Sequence, residues 1–145
     1  MNYLINLKDK KKIFLKKENL YYLIIVSLIF FYDRYSKSKI ISKFNENAYF
    51  INDFINLDLI WNRGIGFGLL ISDSALFYNL VTTLIGLIIF ILIYVFLISK
   101  STDKIVYSII IGGAFGNFYD RVIYKAVPDF IDLHYNNFHW FIFNV

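Results

Sequence analysis

Gly112-Gly-Ala-Phe-Gly116-Asn117-Phe-Tyr-Asp120-Arg121-Val-Ile-Tyr124-Lys-Ala-Val127-Pro128-Asp129-Phe-Ile-Asp132 sets three carboxylates beside the end of a hydrophobic helix. An apolar run of membrane character enters it at Ile105. Gly112, Gly113 and Gly116 then remove side-chain bulk where another helix or a substrate backbone could come close. At helical spacing Gly113, Asn117, Asp120 and Tyr124 share a face, so the spacing predicts a bare groove leading into a polar cluster at the helix end. Ionisable groups at such a depth are costly and persist mainly where they face a protein interior or a wet cavity, which marks a functional site.

Working outward, the composition fits a membrane domain. The chain has 145 residues, 58% of them hydrophobic, and a mean hydropathy of +0.54. This predicts a single small integral membrane domain with room for three or four spans. There is no cysteine, which excludes disulfides, thiolate nucleophiles and iron–sulfur ligation. The net charge of +4 comes with a general richness in Ile, Phe, Tyr, Asn and Lys that looks like base bias in the genome, so it does not argue for nucleic acid.

Before the central stretch, residues 1–19 form a basic arm with Lys8, Lys10, Lys11, Lys12, Lys16 and Lys17, expected on the cytoplasmic side. Leu20–Tyr32 is uninterrupted apolar sequence, and a first span is expected over residues 20–37. Without a small-residue cleavage site after it, the run reads as a retained helix and not a removed signal peptide. Asp33 and Lys37 are spaced to pair on one helix face, and an ion pair anchoring the helix end at the interface is the expected role. Ser36 beside Lys37 raises a Ser/Lys hydrolase reading, weakened because adjacent helical residues do not face each other. Residues 40–70 are too broken to span and read as short strands at the membrane surface, with pieces near Ala48–Asn52 and Phe54–Trp61. Trp61-Asn62-Arg63-Gly64-Ile65-Gly66-Phe67-Gly68 offers a backbone that can approach a ligand, with Asn62 to donate and accept. Residues 75–98 form the clearest membrane helix, Lys100 to Lys104 a tight turn, and residues 105–124 a third span. Asp33, Asn62, Asp120 and Asp129 then all fall on the outer side.

Beyond Pro128 the chain reads as extended, because the residue before a proline is pushed toward β conformation. Residues 125–145 are expected outside the membrane. Asp129 and Asp132 point to opposite faces of a strand and so do not pair with each other. His134 and His139 lack the spacing of a zinc site and are expected, with Trp140, as rings at the membrane interface; no metal or other cofactor is expected.

Several motifs now stand in order along the chain: Asp-x-x-Ser-Lys from Asp33, Asn-x-Gly-x-x-Phe from Asn62, Gly-Gly-Ala-x-Gly-Asn-x-x-Asp-Arg from Gly112, Val-x-Asp-Phe from Val127, and Phe-Asn-Val at Phe143 to Val145. Together they resemble the lipoprotein signal peptidases, signal peptidase II. The resemblance implies an aspartyl peptidase of the bacterial inner membrane that removes signal peptides from diacylglyceryl-modified prolipoproteins, cutting before the lipidated cysteine. It implies an all-α integral membrane protein of four transmembrane helices with a small extracytoplasmic β-cradle, multi-pass and with its site toward the extracytoplasmic side. Prolipoproteins and membrane lipid would be its partners, and the protein a monomer. Asp129 falls at the first catalytic aspartate, although Pro128 stands where the family usually has Val. Asp120 and Arg121 fall at the family's Asp-Arg pair, and Asn117 and Asn144 at other motif asparagines. Asp33, Lys37, Asn62, Gly64, Gly112, Gly113 and Gly116 are expected to bind substrate or support the site. The family's second aspartate follows Phe-Asn-x-Ala, so it is expected two residues after Val145, with a fourth helix behind it. The 145 residues alone are expected to be inactive, and a non-catalytic lipoprotein-binding membrane protein is the alternative.

Overall fold

The computed structural model describes residues 17–43, 48–64 and 74–145. The basic arm up to Lys16, and Gly66, Phe67 and Gly68 of the glycine-rich loop, lie outside the described residues.

Three long helices and one small sheet make up the fold. Helix α1 runs Lys17–Lys43, α2 Ala75–Ile98 and α3 Ser101–Tyr124; the strands are β1 Tyr49–Asn52, β2 Ile55–Asn62, β3 Val127–Tyr135 and β4 Phe138–Phe143. Helix α3 is the central one, packing against α1 and α2 on different sides. The first helix extends through Lys43, beyond the expected 37, and α3 begins at Ser101 and not 105.

Local chemistry sets the boundaries. Ser74 caps α2 by accepting the Phe77 N–H on its hydroxyl at 3.3 Å. Lys125 closes α3 in the left-handed conformation, φ 58°, and Pro128 cannot continue a helix. Asn52 Oδ1 accepts the N–H groups of Phe54 and Ile55, each at 2.9 Å, folding the β1–β2 turn around its own side chain. Asn136, at φ 53°, takes the left-handed position between β3 and β4 that asparagine tolerates.

The sheet is antiparallel in the order β1-β2-β3-β4, although α2 and α3 intervene between its middle strands. The β2–β3 register pairs Asn62 with Val127 and Ile60 with Asp129. Pairing of β3 with β4 runs only from Ile131–Phe143 outward, so at Pro128 the strand has one neighbour and its missing N–H breaks no ladder on a second side. Strand β4 was not expected from the sequence, which gives no alternation over Phe138–Phe143; it exists by pairing with β3.

Among the described residues, α2 is the one helix long and apolar enough by composition to cross a membrane. Helices α1 and α3 carry Asp33, Lys37, Lys104, Asp120 and Arg121, all buried, which interrupt their apolar windows. Their outer surfaces are nonetheless apolar. Leu20, Leu23, Leu28, Phe31, Val106, Ile109 and Ile110 are all exposed, more apolar surface than a water-soluble protein normally leaves uncovered.

Candidate active site

Two polar clusters meet where α1, α3, β2 and β3 converge. The first lies between α1 and α3. Gly112 lets the helices touch: a Cβ there would stand 2.7 Å from the Ile29 Cβ and 2.9 Å from the Val26 carbonyl oxygen. One turn on, a Cβ at Gly116 would overlap the Asp33 carboxylate. Close approach then buries charge. The Lys37 ammonium, fully buried, donates to Asn117 Oδ1 at 2.7 Å and Asp120 Oδ2 at 2.8 Å and pairs with Asp33 Oδ1 at 2.7 Å. These three acceptors match its three protons. Arg34 completes the cluster by pairing with Asp120 Oδ1, its guanidinium lying 4.7 Å over the Tyr119 ring. Two carboxylates thus meet two cations, the arrangement that buried charge requires.

Several expectations need correcting here. Asp33 and Lys37 are not an interfacial helix-end pair: α1 runs on past them, and both are buried against α3. The glycine face is Gly112, Gly116 and Asp120, covered by α1. Gly113, about 100° away around the helix, has nothing within 4 Å of a built Cβ, so the three glycines do not form one groove. The cations holding Asp120 are Arg34 and Lys37, not the neighbouring Arg121, which points elsewhere. Ser36 donates to the Asp33 carbonyl at 2.8 Å within its own helix, which removes the Ser/Lys reading.

The second cluster surrounds Asp129. This carboxylate, 5% exposed, accepts from Asn62 Nδ2 at 2.8 Å on Oδ2 and from Asn144 Nδ2 at 2.6 Å on Oδ1. Asn62 is itself fixed, since its Oδ1 accepts the Gly64 N–H at 2.8 Å. The Gly64 carbonyl in turn accepts from Arg121 Nη2, and the Arg121 carbonyl accepts the Tyr78 hydroxyl at 2.9 Å. One chain of hydrogen bonds therefore links α2, α3, the β2 exit and β3. Arg121 Nε and Nη1 are buried with no hydrogen-bond partner among the described residues.

Asp129 differs from every other buried carboxylate here. Asp33 and Asp120 are tied to cations, and Asp132, on the other face of β3, meets His139 Nδ1 at 2.7 Å. Asp129 has only neutral amide partners among the described residues. His139 is therefore not just an interfacial ring, although it is exposed like Phe138 and Trp140.

The structure thus brings together Asp33, Lys37, Asn117 and Asp120 in one cluster and Asn62, Gly64, Arg121, Asp129 and Asn144 in the other. Sequence reasoning missed Arg34 and Tyr78. Arg34 carried a usable signal, an arginine at the end of an apolar run three residues before Lys37; a tyrosine in an apolar helix carried almost none.

Comparison with known proteins agrees with this geometry. A family model described as Signal peptidase (SPase) II, peptidase A8, matches residues 25–145. The chain is 48% identical over 126 residues to the lipoprotein signal peptidase of Pelagibacter ubique (strain HTCC1062), covering 85% of this chain and 76% of that one. It is 36% identical over 137 residues to the lipoprotein signal peptidase of Francisella tularensis subsp. novicida (strain U112), covering 90% and 84%. A bacterial membrane enzyme solved by the in meso method superposes with a TM-score of 0.65 at 27% identity, over 83% of this chain and 76% of that one. With a buried carboxylate held by amides, a neighbouring ion cluster and these relatives, the chain belongs to the signal peptidase II family of aspartic peptidases, the lipoprotein signal peptidases.

Proposed function

We propose that Asp129 is a catalytic carboxylate in the removal of signal peptides from prolipoproteins, the activity of the family to which the chain belongs. The observation that carries this is its surroundings: it is the buried carboxylate bound by Asn62 and Asn144 amides and, among the described residues, by no cation. Amide hydrolysis needs a base to activate water and an acid to protonate the carbonyl oxygen or the leaving amine. Two close carboxylates share one proton because both cannot ionise, and so fill both roles. In the family motif Phe-Asn-x-Ala-Asp the second aspartate stands three residues after the asparagine, the position that Asn144 holds here. Asn144 already touches Asp129, and three residues of chain span at most about 11 Å. A carboxylate at that point is within reach of Asp129.

The remaining residues support this pair. Asn62 and Asn144 orient the Asp129 carboxylate, and Gly64 holds Asn62. Arg121, whose Nε and Nη1 have no partner among the described residues, is suited to donate to a peptide carbonyl of the substrate beside Asp129. The Asp33–Lys37–Asn117–Asp120–Arg34 cluster clamps α1 to α3 and does not transfer protons, because each of its carboxylates would have to abandon a cation. Gly113 leaves an uncovered strip on α3 along which a signal peptide or a further helix could lie. The substrate is a diacylglyceryl-modified prolipoprotein, cut before its lipidated cysteine. Three spans, α1, α2 and α3, carry the amino terminus inside and the site on the outer side of the bacterial inner membrane.

The two aspartates of β3 provide the test, since they share a strand and point to opposite faces. In cells whose own enzyme is depleted, the protein continued through Ala-Asp and the following span should process prolipoprotein. Asp129→Asn should accumulate the uncut precursor and Asp132→Asn should not. Normal processing by Asp129→Asn would remove the assignment.

A further inference from the structure

On the side of α3 away from Gly113, an apolar groove of about 540 Å³ opens between α1 and α2. That volume lies within the range of small-molecule sites, roughly 300–1,000 Å³. Leu23, Val26, Ile93, Phe96, Ile111 and Phe115 form its walls, and the polar groups lining it, Lys17 and Asn19, are together at one end. The groove belongs to a different part of the molecule from the site. Leu23 precedes Asp33 by ten residues of one continuous helix, about 15 Å along its axis.

The polar end is a built feature. Lys104, only 8% exposed, donates to Asn19 Oδ1 at 3.1 Å and lies 5.1 Å over the Phe96 ring and 5.8 Å over the Tyr22 ring. The Tyr22 hydroxyl holds the start of α3, 3.0 Å from the Ser101 carbonyl oxygen and 2.6 Å from its hydroxyl. Lys104 meets no carboxylate among the described residues. A cation this deep is ordinarily paired, because desolvating it alone is costly. Lys17 stands exposed at the same end. An apolar groove with Lys17 in its lining at one end and Lys104 just behind Asn19 there matches one molecule of the surroundings: a diacyl lipid carrying a net negative charge.

We infer that this groove binds an anionic phospholipid of the cytoplasmic leaflet, one acyl chain lying between α1 and α2 and the phosphate meeting Lys17 and Lys104. The leaflet rests on the topology proposed above; the binding itself does not depend on the peptidase reading. Held there, the lipid fills the space between two helices that each touch α3 but hardly touch each other, and stiffens the end of the molecule remote from Asp129.

Native mass spectrometry of the detergent-purified protein tests this, with phosphatidylglycerol and phosphatidylethanolamine of identical acyl chains as probes. Phosphatidylglycerol should be retained at least roughly fivefold better, and Lys17→Gln should remove about that factor, as expected for one lysine near an anionic lipid. Leu23→Trp, which fills the groove, should abolish retention of both lipids. Lys17 is exposed, so its variant reports even where Leu23→Trp folds poorly, and Lys17→Gln should still process prolipoprotein, which separates this inference from the Asp129 assignment. Equal retention of the two lipids, or retention unchanged in Leu23→Trp, would overturn it. Dimers forming in place of lipid adducts would assign the groove to a second copy and overturn it too.

Discussion

At the scale of single residues, two adjacent glycines separate what packing requires from what is only permitted. An added methyl at Gly112 would strike Ile29 and the α1 backbone at Val26, so Gly112→Ala should lower stability by about 1–3 kcal/mol, the usual cost of overpacking. At Gly113 the same methyl meets nothing, and Gly113→Ala should leave stability unchanged or raise it by up to about 1 kcal/mol through helix propensity. Thermal unfolding of the two variants in detergent reads both; equal destabilisation would show that α1 does not approach α3 as described. The sequence displayed all three glycines but not which of them face α1, because the helix partner and its rotation are tertiary facts. Asp129 was legible for a different reason. Its isolation after the chain's single proline, within a family motif, drew attention to it, while its distinguishing property, two amide partners and no cation among the described residues, comes from Asn62, far away in sequence, and Asn144.

At the scale of elements, the contact between α1 and α3 combines close backbones with a neutral set of four charges, of which Asp33, Lys37 and Asp120 are buried and Arg34 is part-exposed. Lys37 is its centre, reaching Asp33, Asn117 and Asp120 at once. Lys37→Met leaves those acceptors buried without their cation and should cost about 3–5 kcal/mol, seen as a lower unfolding temperature and a poor yield of folded protein. Full stability in Lys37→Met would mean that water reaches the cluster. The i,i+4 spacing of Asp33 and Lys37 was readable from the sequence; their burial was not, since it depends on Gly112 and Gly116, some 80 residues away, admitting α1. Helix α2 was the most legible element, with 24 residues of nearly unbroken apolar sequence. Strand β4 was the least, because Phe138–Phe143 shows no alternation and becomes a strand only by pairing with β3, where His139 meets Asp132.

At the scale of the whole molecule, the sheet and its site lie at one end of the three-helix bundle, and the proposed topology sets that end outside the membrane. Cysteine labelling measures this cleanly in a chain without native thiols: Asp53→Cys in the exposed β1–β2 turn should react with an impermeant reagent in intact spheroplasts, and Thr102→Cys at the start of α3 only after permeabilisation. Reaction at both positions in intact spheroplasts would break the proposed topology. Among the described residues the fold presents one buried carboxylate bound by neutral amides beside an ion cluster, and the proposed function rests on that carboxylate. The most direct measurement is therefore the single-turnover rate of Asp129→Asn on a diacylglyceryl-modified precursor peptide, in protein continued through Ala-Asp and the span after it, with peptide binding measured on the same preparation. The account predicts bound peptide and a cleavage rate lower by a factor on the order of a thousand or more. Cleavage at the unmutated rate by a correctly folded Asp129→Asn protein would contradict it.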